Sequence, residues 1–174
     1  MKSAFFCPVQ LFFKRSALSE TGSLVRKLSD RALIVTGKSS VRKSGQLDTL
    51  TESLASAGVE VAGVFEGVEP DPSTDTVDDL AERIRKSGAG AVVAVGGGSA
   101  LDAAKAAARL AQHVGPCAEY LHREREFTEP GVALAAIPTT AGTGAEMNAL
   151  SVLTDPSNRI KRSLVGVMPR IALV

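Results

Sequence analysis

The run Ala91-Val92-Val93-Ala94-Val95, followed by Gly96-Gly97-Gly98-Ser99 and then Ala100-Leu101-Asp102-Ala103-Ala104-Lys105, constrains this chain more than any other stretch. A β-branched, apolar strand stops at three glycines, and an alanine-rich helix opens directly after them. Glycine lets backbone N–H groups approach a ligand with no Cβ in the way. The helix start adds unpaired N–H donors and the positive end of a dipole. Such a loop is suited to hold a phosphate or pyrophosphate. A glycine-rich turn that serves only helix–strand packing has the same local pattern. The segment is neither the G-x-G-x-x-G dinucleotide fingerprint nor the G-x-x-x-x-G-K-[ST] phosphate loop. Alone it points to a phosphate-bearing ligand and no further.

The rest of the chain repeats the alternation of strand and helix. Val9 to Phe13 reads as a first strand and Ser19 to Leu28 as a short amphipathic helix. Ala32-Leu33-Ile34-Val35-Thr36, ending at Gly37, has the profile of a buried parallel strand. Leu47, Leu50 and Leu54 fall three and four apart, which predicts a helix over Gly45–Ala57 closed by Gly58. Val59 to Phe65 is a strand, and Val77, Leu80, Ala81 and Ile84 form a helical stripe. The helix after Gly98 is expected to run to about Val114, and Gly115 to Pro130 to be polar and irregular, with Glu124, Arg125 and Glu126 a solvated charge run. Val132 to Ile137, Leu150 to Thr154 and Ile171 to Val174 complete the strands. The pattern predicts an α/β fold, a mainly parallel Rossmann-like sheet with helices on both faces. Gly37, Gly96 and Thr139 then line one carboxyl edge, where open α/β sheets bind ligands.

At 174 residues the chain is sized for one domain with a substantial core, and we read residues 1–174 as a single domain. A net charge of +1 gives no argument for nucleic acid or an anionic membrane. With no Trp and one Tyr, the stacking platforms of single-strand binders are missing. Cys7 and Cys117 lie far apart without a C-x-x-C, so reduced thiols and a cytoplasmic location are the simplest reading. Met1 to Phe13 imitates a secretory signal, but Pro8 and Gln10 interrupt it and no cleavage site follows closely. No segment is long enough to span a bilayer as a helix. An apolar strand at the very last residue suggests a chain cut from something longer.

Two motifs in order take the reading further. The glycine loop and its helix, Gly96 to Lys105, are followed about thirty residues on by Ile137-Pro138-Thr139-Thr140-Ala141-Gly142-Thr143-Gly144-Ala145-Glu146. Together they closely resemble the iron-containing (group III) alcohol dehydrogenase family, and the likeness runs from Arg31 through Val68-Glu69-Pro70-Asp71-Pro72 to Val174. The resemblance implies an oxidoreductase that interconverts an alcohol and an aldehyde or ketone with a nicotinamide cofactor. In that family an N-terminal α/β domain holds the cofactor, and a C-terminal helical domain holds Fe2+ or sometimes Zn2+ as Lewis acid. This chain would be the first of the two. The family's metal ligands, one Asp and three His, lie beyond the position matching Val174, and the only imidazoles here, His113 and His122, match no ligand motif and read as surface residues. No metal ligand and no catalytic residue is therefore assigned.

The resemblance also implies cofactor contacts. Gly96, Gly97, Gly98 and Ser99 match the pyrophosphate loop, and Thr139, Thr140 and Thr143 the second cofactor loop. Asp71 stands where many members place an Asn beside the cofactor, Lys161 matches a lysine near the cofactor ribose, and Asp102 is kept by the family motif. On their own residues, Lys161 reads equally as part of a basic turn, and Asp102 with Lys105 as a surface ion pair. Gly37 is the most useful departure. Many NAD-dependent members carry an Asp there, whose carboxylate would repel a ribose 2′-phosphate. With Gly37 and Ser39, and Lys38, Arg42 and Lys43 nearby, NADP(H) is expected over NAD(H). Ala145 replaces a usual Ser, Lys14 stands near a usual Gly, and Leu164 to Pro169 is a few residues short. Partners implied are a small alcohol or aldehyde, the absent C-terminal domain and a second copy in a homo-oligomer. Two alternatives stay open: a non-catalytic nucleotide-binding remnant, and a glycerol dehydrogenase-like enzyme, against which Ser99 argues because those members commonly show a Lys there.

Overall fold

The computed structural model describes residues 7–174. In chain order the elements are β1 (Gln10–Phe12), α1 (Thr21–Val25), β2 (Arg31–Gly37), α2 (Ser40–Lys43), α3 (Gln46–Ser56), β3 (Glu60–Val68), α4 (Thr74–Ser87), β4 (Ala91–Gly96), α5 (Gly98–Leu110), α6 (Cys117–Leu121), β5 (Ala133–Pro138), β6 (Leu150–Asp155), β7 (Ile160–Val165) and β8 (Ile171–Leu173). Six strands form one sheet in the order β1-β8-β5-β4-β2-β3, and every adjacent pair is parallel. The expected α/β architecture is therefore the observed one.

Two-residue alternation sends the strand side chains to two separate cores. Ala32, Ile34, Val93, Val95, Ala135 and Ile137 pack beneath α1, α2 and α3, through Val25, Val41, Leu47, Leu50 and Leu54. Leu33, Val35, Val92, Ala94, Leu134 and Ala136 face the other way, onto α4, α5 and α6. All six residues of β4 are buried, as a strand covered on both faces requires. Each such Val, Leu or Ile contributes about 1.5–3 kcal/mol by leaving water. Helix α5 lies close to the sheet because its inward residues, Ala100, Ala103, Ala104, Ala107 and Ala108, are small and buried.

Helix α4 shows how local chemistry sets the boundaries. The Ser73 hydroxyl accepts from the Thr76 N–H at its start, and Gly88 ends it at φ 66°, the left-handed turn that glycine adopts freely. Asp75 sits in the first turn and Arg85 and Lys86 in the last, each opposite the dipole end it favours.

The crossovers decide where a ligand can sit. After β2 the chain turns to the α2–α3 face, and after β4 it turns to the α5 face. Because β2 and β4 are neighbours, their carboxyl ends open onto a crevice between diverging connections.

Several expectations are corrected. Helix α5 stops at Leu110 rather than near Val114, where the His113 ring turns back onto the Arg109 carbonyl. Residues 19–28 yield only α1 after a 3-10 turn at Ala17–Glu20. The stretch 115–130 contains α6, and β7 was not foreseen: with β6 it makes an antiparallel hairpin outside the main sheet. Of the signal-like opening, Met1–Phe6 lie outside the described residues, and Gln10–Phe12 form β1, as the strand reading expected. Among the described residues no helix is long and apolar enough to cross a membrane.

Candidate functional site

The ends of β2, β4 and β5 bring Gly37, Gly96 and Thr139 to one edge, with Thr36 level with Val95 and Gly96 level with Pro138. The Thr139 N–H donates to the Gly96 carbonyl at 2.9 Å. A groove of about 330 Å³ opens here, lined on one side by Gly37, Lys38, Ser39 and Ser40 and on the other by Gly97, Gly98 and Ser99. Gly96 turns the chain out of the strand at φ 153°, and a Cβ there would stand 2.9 Å from that of Ala100. Gly98 is required for a different reason: a Cβ on it would meet the Thr143 hydroxyl at 2.8 Å. The second loop thus lies directly on the first. At Gly97 the neighbour is Thr140, whose hydroxyl would be 3.6 Å from a Cβ, an ordinary contact. Gly98, Ser99 and Ala100 line this groove, and the opening N–H groups of α5 have no carbonyl of their own helix to bond.

Asp71, Ser99 and Lys161 meet at the rim. The Asp71 N–H donates to the Ser99 hydroxyl at 3.3 Å, and the Lys161 ammonium reaches the Asp71 carboxylate at 2.6 Å. Asp71 adopts φ 53°, a left-handed conformation that Asn and Asp tolerate better than most residues. Its loop is braced by Glu69, which the sequence reading missed. That carboxylate accepts from the Ser73 N–H and the Thr76 hydroxyl, each at 2.8 Å. Burial opposes the charge of Glu69, yet these donors hold its pKa below the ordinary value. Lys38 also lines the groove and was noted only as a nearby cation.

Two expectations about charge change. Arg42 is held by Glu66 through paired contacts of 2.8 and 2.6 Å, which raise the guanidinium's pKa and lower the carboxyl's. Lys38 remains the cation that lines the groove. Asp102 and Lys105 are not a surface pair: the lysine side chain is 0% exposed and the carboxylate 14%. Asp102 accepts from the Val152 N–H at 3.0 Å while contacting Lys105 at 2.9 Å, so it faces the β6–β7 hairpin. Burial pushes the Lys105 ammonium's pKa below the usual lysine value, with Asp102 and Glu146 opposing the shift.

Neither histidine is a free surface group. His113 stands edge-on to the stacked rings of Tyr120 and Phe127 and accepts from the N–H groups of Thr128 and Glu129 at 2.9 and 3.0 Å. His122 bonds the buried Asp155 carboxylate at 2.6 Å. That bond, with Asn158 and the Ser157 N–H, holds the Asp155 pKa at about 2. Both imidazoles are spent on structure, and among the described residues no group of three or more His, Cys, Asp or Glu side chains is placed to hold a metal. These side chains do not fit the family's metal site of one Asp and three His.

Comparison with known proteins agrees with this geometry. Residues 8–174 match the family described as iron-containing alcohol dehydrogenase. The chain is 35% identical to an NADPH-dependent butanol dehydrogenase of Clostridium saccharobutylicum, over 98% of this chain and 44% of the relative. It is 28% identical to an NAD-dependent methanol dehydrogenase of Bacillus methanolicus, over 98% of this chain and 45% of that protein. Among solved structures, the NADH-dependent butanol dehydrogenase A of Thermotoga maritima superimposes with a TM-score of 0.91 at 27% identity, covering 99% of this chain and 44% of its own. The chain spans about half the length of the relatives it matches.

Proposed function

The chain belongs to the iron-containing alcohol dehydrogenase family, and from that premise we propose that residues 1–174 are its N-terminal dinucleotide-binding domain, holding a nicotinamide cofactor in the groove between β2 and β4. The observation that carries the reading is the stacking of the two loops at this edge. Gly97, Gly98 and Ser99 present backbone donors for a pyrophosphate, and Thr139, Thr140 and Thr143 bring hydroxyls beside them. Gly37 and Ser39 take the ribose next to β2, while Asp71 and Lys161 close the rim. Asp102 acts behind the groove, on the hairpin.

On this reading the whole protein interconverts a small alcohol with its aldehyde or ketone, and a bound nicotinamide would supply the hydride chemistry. The family's metal would supply Lewis-acid activation of the substrate oxygen. The residues of this chain bind and orient the cofactor; with only two histidines, both bonded elsewhere, they are not expected to catalyse alone. We place the protein in the cytoplasm, in line with its two free thiols, Cys7 and Cys117.

NADP(H) is the preferred cofactor in this proposal. Gly37 leaves the end of β2 without a carboxylate, with Lys38 lining the groove and Lys43 in the last turn of α2. The Arg42–Glu66 pair removes one cation from that set, so the preference is expected to be about tenfold rather than larger. Titrating the 174-residue chain with NADPH and with NADH, followed by cofactor fluorescence, tests both parts. Tighter binding of NADH refutes the preference, and binding of neither refutes the groove as a cofactor site. Alcohol-dependent reduction of NADP by the same chain would refute its catalytic incompleteness.

A further inference from the structure

Lys105 is the one fully buried charged side chain among the described residues' large core groups, and its surroundings are unusual. Five oxygens converge on its ammonium: Asp102 Oδ1 at 2.9 Å, the Ala145 carbonyl at 3.1 Å, the Asn148 carbonyl at 3.4 Å, Asn148 Oδ1 at 3.3 Å, and the Leu150 carbonyl. An ammonium has three N–H bonds to give, so the site offers more acceptors than donors. This is an oxygen cage built around a cation. A buried charge is costly to desolvate unless such partners meet its hydrogen-bonding capacity, and a caged cation holds the groups that surround it.

Four of the five oxygens belong to one segment, residues 145–150. That segment runs from the threonine loop into the first residue of β6, and ahead of the strand its regular structure is a 3-10 turn at Ala145–Met147. Ala145 and Asn148 lie outside the β6–β7 ladder, which begins at Leu150. The backbone of Asn148 and Leu150 is further shaped by Asn148, which donates to the Gly144 carbonyl and accepts from the Leu150 N–H. Its upstream end rests on α5 as well, where Thr143 packs onto Gly98. One helix therefore holds the segment at two points: Gly98 at its first residue, and Lys105 two turns further on.

We infer that Lys105 is a positioning residue whose ammonium fixes the loop carrying Thr139, Thr140 and Thr143 against the glycine loop, without touching the ligand. The inference rests on the cofactor reading of that groove. Helix α5 then does two jobs: its N-terminus presents donors to the ligand, and its core lysine aligns the second wall of the site. Asp102 shares the second job, since it holds both the ammonium and the Val152 N–H at the start of the hairpin.

The test compares the 174-residue chain with K105M and K105R by amide hydrogen exchange and by NADPH titration. In K105M, which keeps the bulk of the side chain and removes the donors, exchange is expected to rise in residues 139–150 while β2, β3 and β4 keep their protection. NADPH affinity is expected to fall by about tenfold, the scale of one buried acceptor set left unpaired. K105R restores a cation and is expected to recover most of both. Loop protection in K105M equal to that of the parent chain overturns the inference. So does exchange raised evenly through loop and sheet with K105R no better than K105M, since Lys105 would then be a core filler. A loosened loop with unchanged NADPH affinity overturns the link to the ligand while leaving the groove assignment standing. If the parent chain binds neither NADPH nor NADH, the cofactor reading fails, and the exchange pattern still decides whether Lys105 holds the loop. Should K105M not fold, N148A removes one cage oxygen and is expected to show the same localised exchange with a few-fold loss of affinity.

Discussion

The main sheet and the β6–β7 hairpin are held by different forces. The sheet is covered on both faces and its inward residues are almost all aliphatic. In β6 only alternate residues are buried, and two of the three are Ser151 and Asp155; in β7 only Leu164 is. Leu150, Val152 and Val165 are exposed. What the hairpin lacks in apolar area is supplied by the Asp102 bond to the Val152 N–H, the Lys105 cage beside Leu150, and the Asp155–His122 contact. Non-directional burial builds the platform, while directional bonds to buried charges set the hairpin and the segment that leads into it. The first tolerates similar shapes; the second depends on individual atoms.

The contrast can be broken most severely from the platform side. Ile34→Ala empties a fully buried position beneath α2 and α3 and is expected to cost about 2–5 kcal/mol of stability, read from urea unfolding. An unaltered midpoint would mean that this core repacks. Next comes the contact between loops. G98V puts a branched side chain where Thr143 lies, so NADPH affinity should drop at least about tenfold with little change in the unfolding midpoint. G97A, with ordinary spacing to Thr140, is its control.

Acid sharpens the comparison further. Asp155 has a folded pKa of about 2 against an ordinary 3.8, so its contribution is fully present above about 4 and is lost as pH falls through about 2. The parent chain should therefore lose stability across that window more steeply than D155N, and equal slopes would show that the His122 contact contributes nothing. The smallest effect is expected at the rim. D71N keeps a residue suited to φ 53° and breaks only an exposed ion pair with Lys161, so stability should shift by less than about 0.5 kcal/mol. Removing that negative charge should strengthen NADPH binding a few-fold in low salt and less in high salt.

The platform was legible because its evidence is periodic. The runs at Ala32, Ala91 and Val132 and the leucine spacing at Leu47, Leu50 and Leu54 each gave the right element. The glycine loop could be located too, since strand, glycines and helix are consecutive. The hairpin was not, because Ile160 to Val165 reads as a polar stretch with Lys161, Arg162 and Ser163 and shows little apolar alternation. Its turn signal, Asp155-Pro156-Ser157-Asn158, was available and unused. Lys105 misled for a related reason. Three-residue spacing from Asp102 implies a surface pair only if that helix face meets solvent, and here it meets the segment 145–150. The histidines were misjudged the same way, as partners such as Asp155 lie far off in sequence.

Because the glycine loop and the threonine loop both hang from α5, they form one mechanical unit, separate from the Gly37–Ser40 wall at the end of β2. Enlarging an alanine on that helix would shift both loops at once, so variation there is constrained for the whole unit. The β2 wall carries no such load. On the proposed cofactor reading, preference could thus be redesigned at positions 37 to 40 while the glycine loop stays as it is, and a library aimed at one property need not disturb the other.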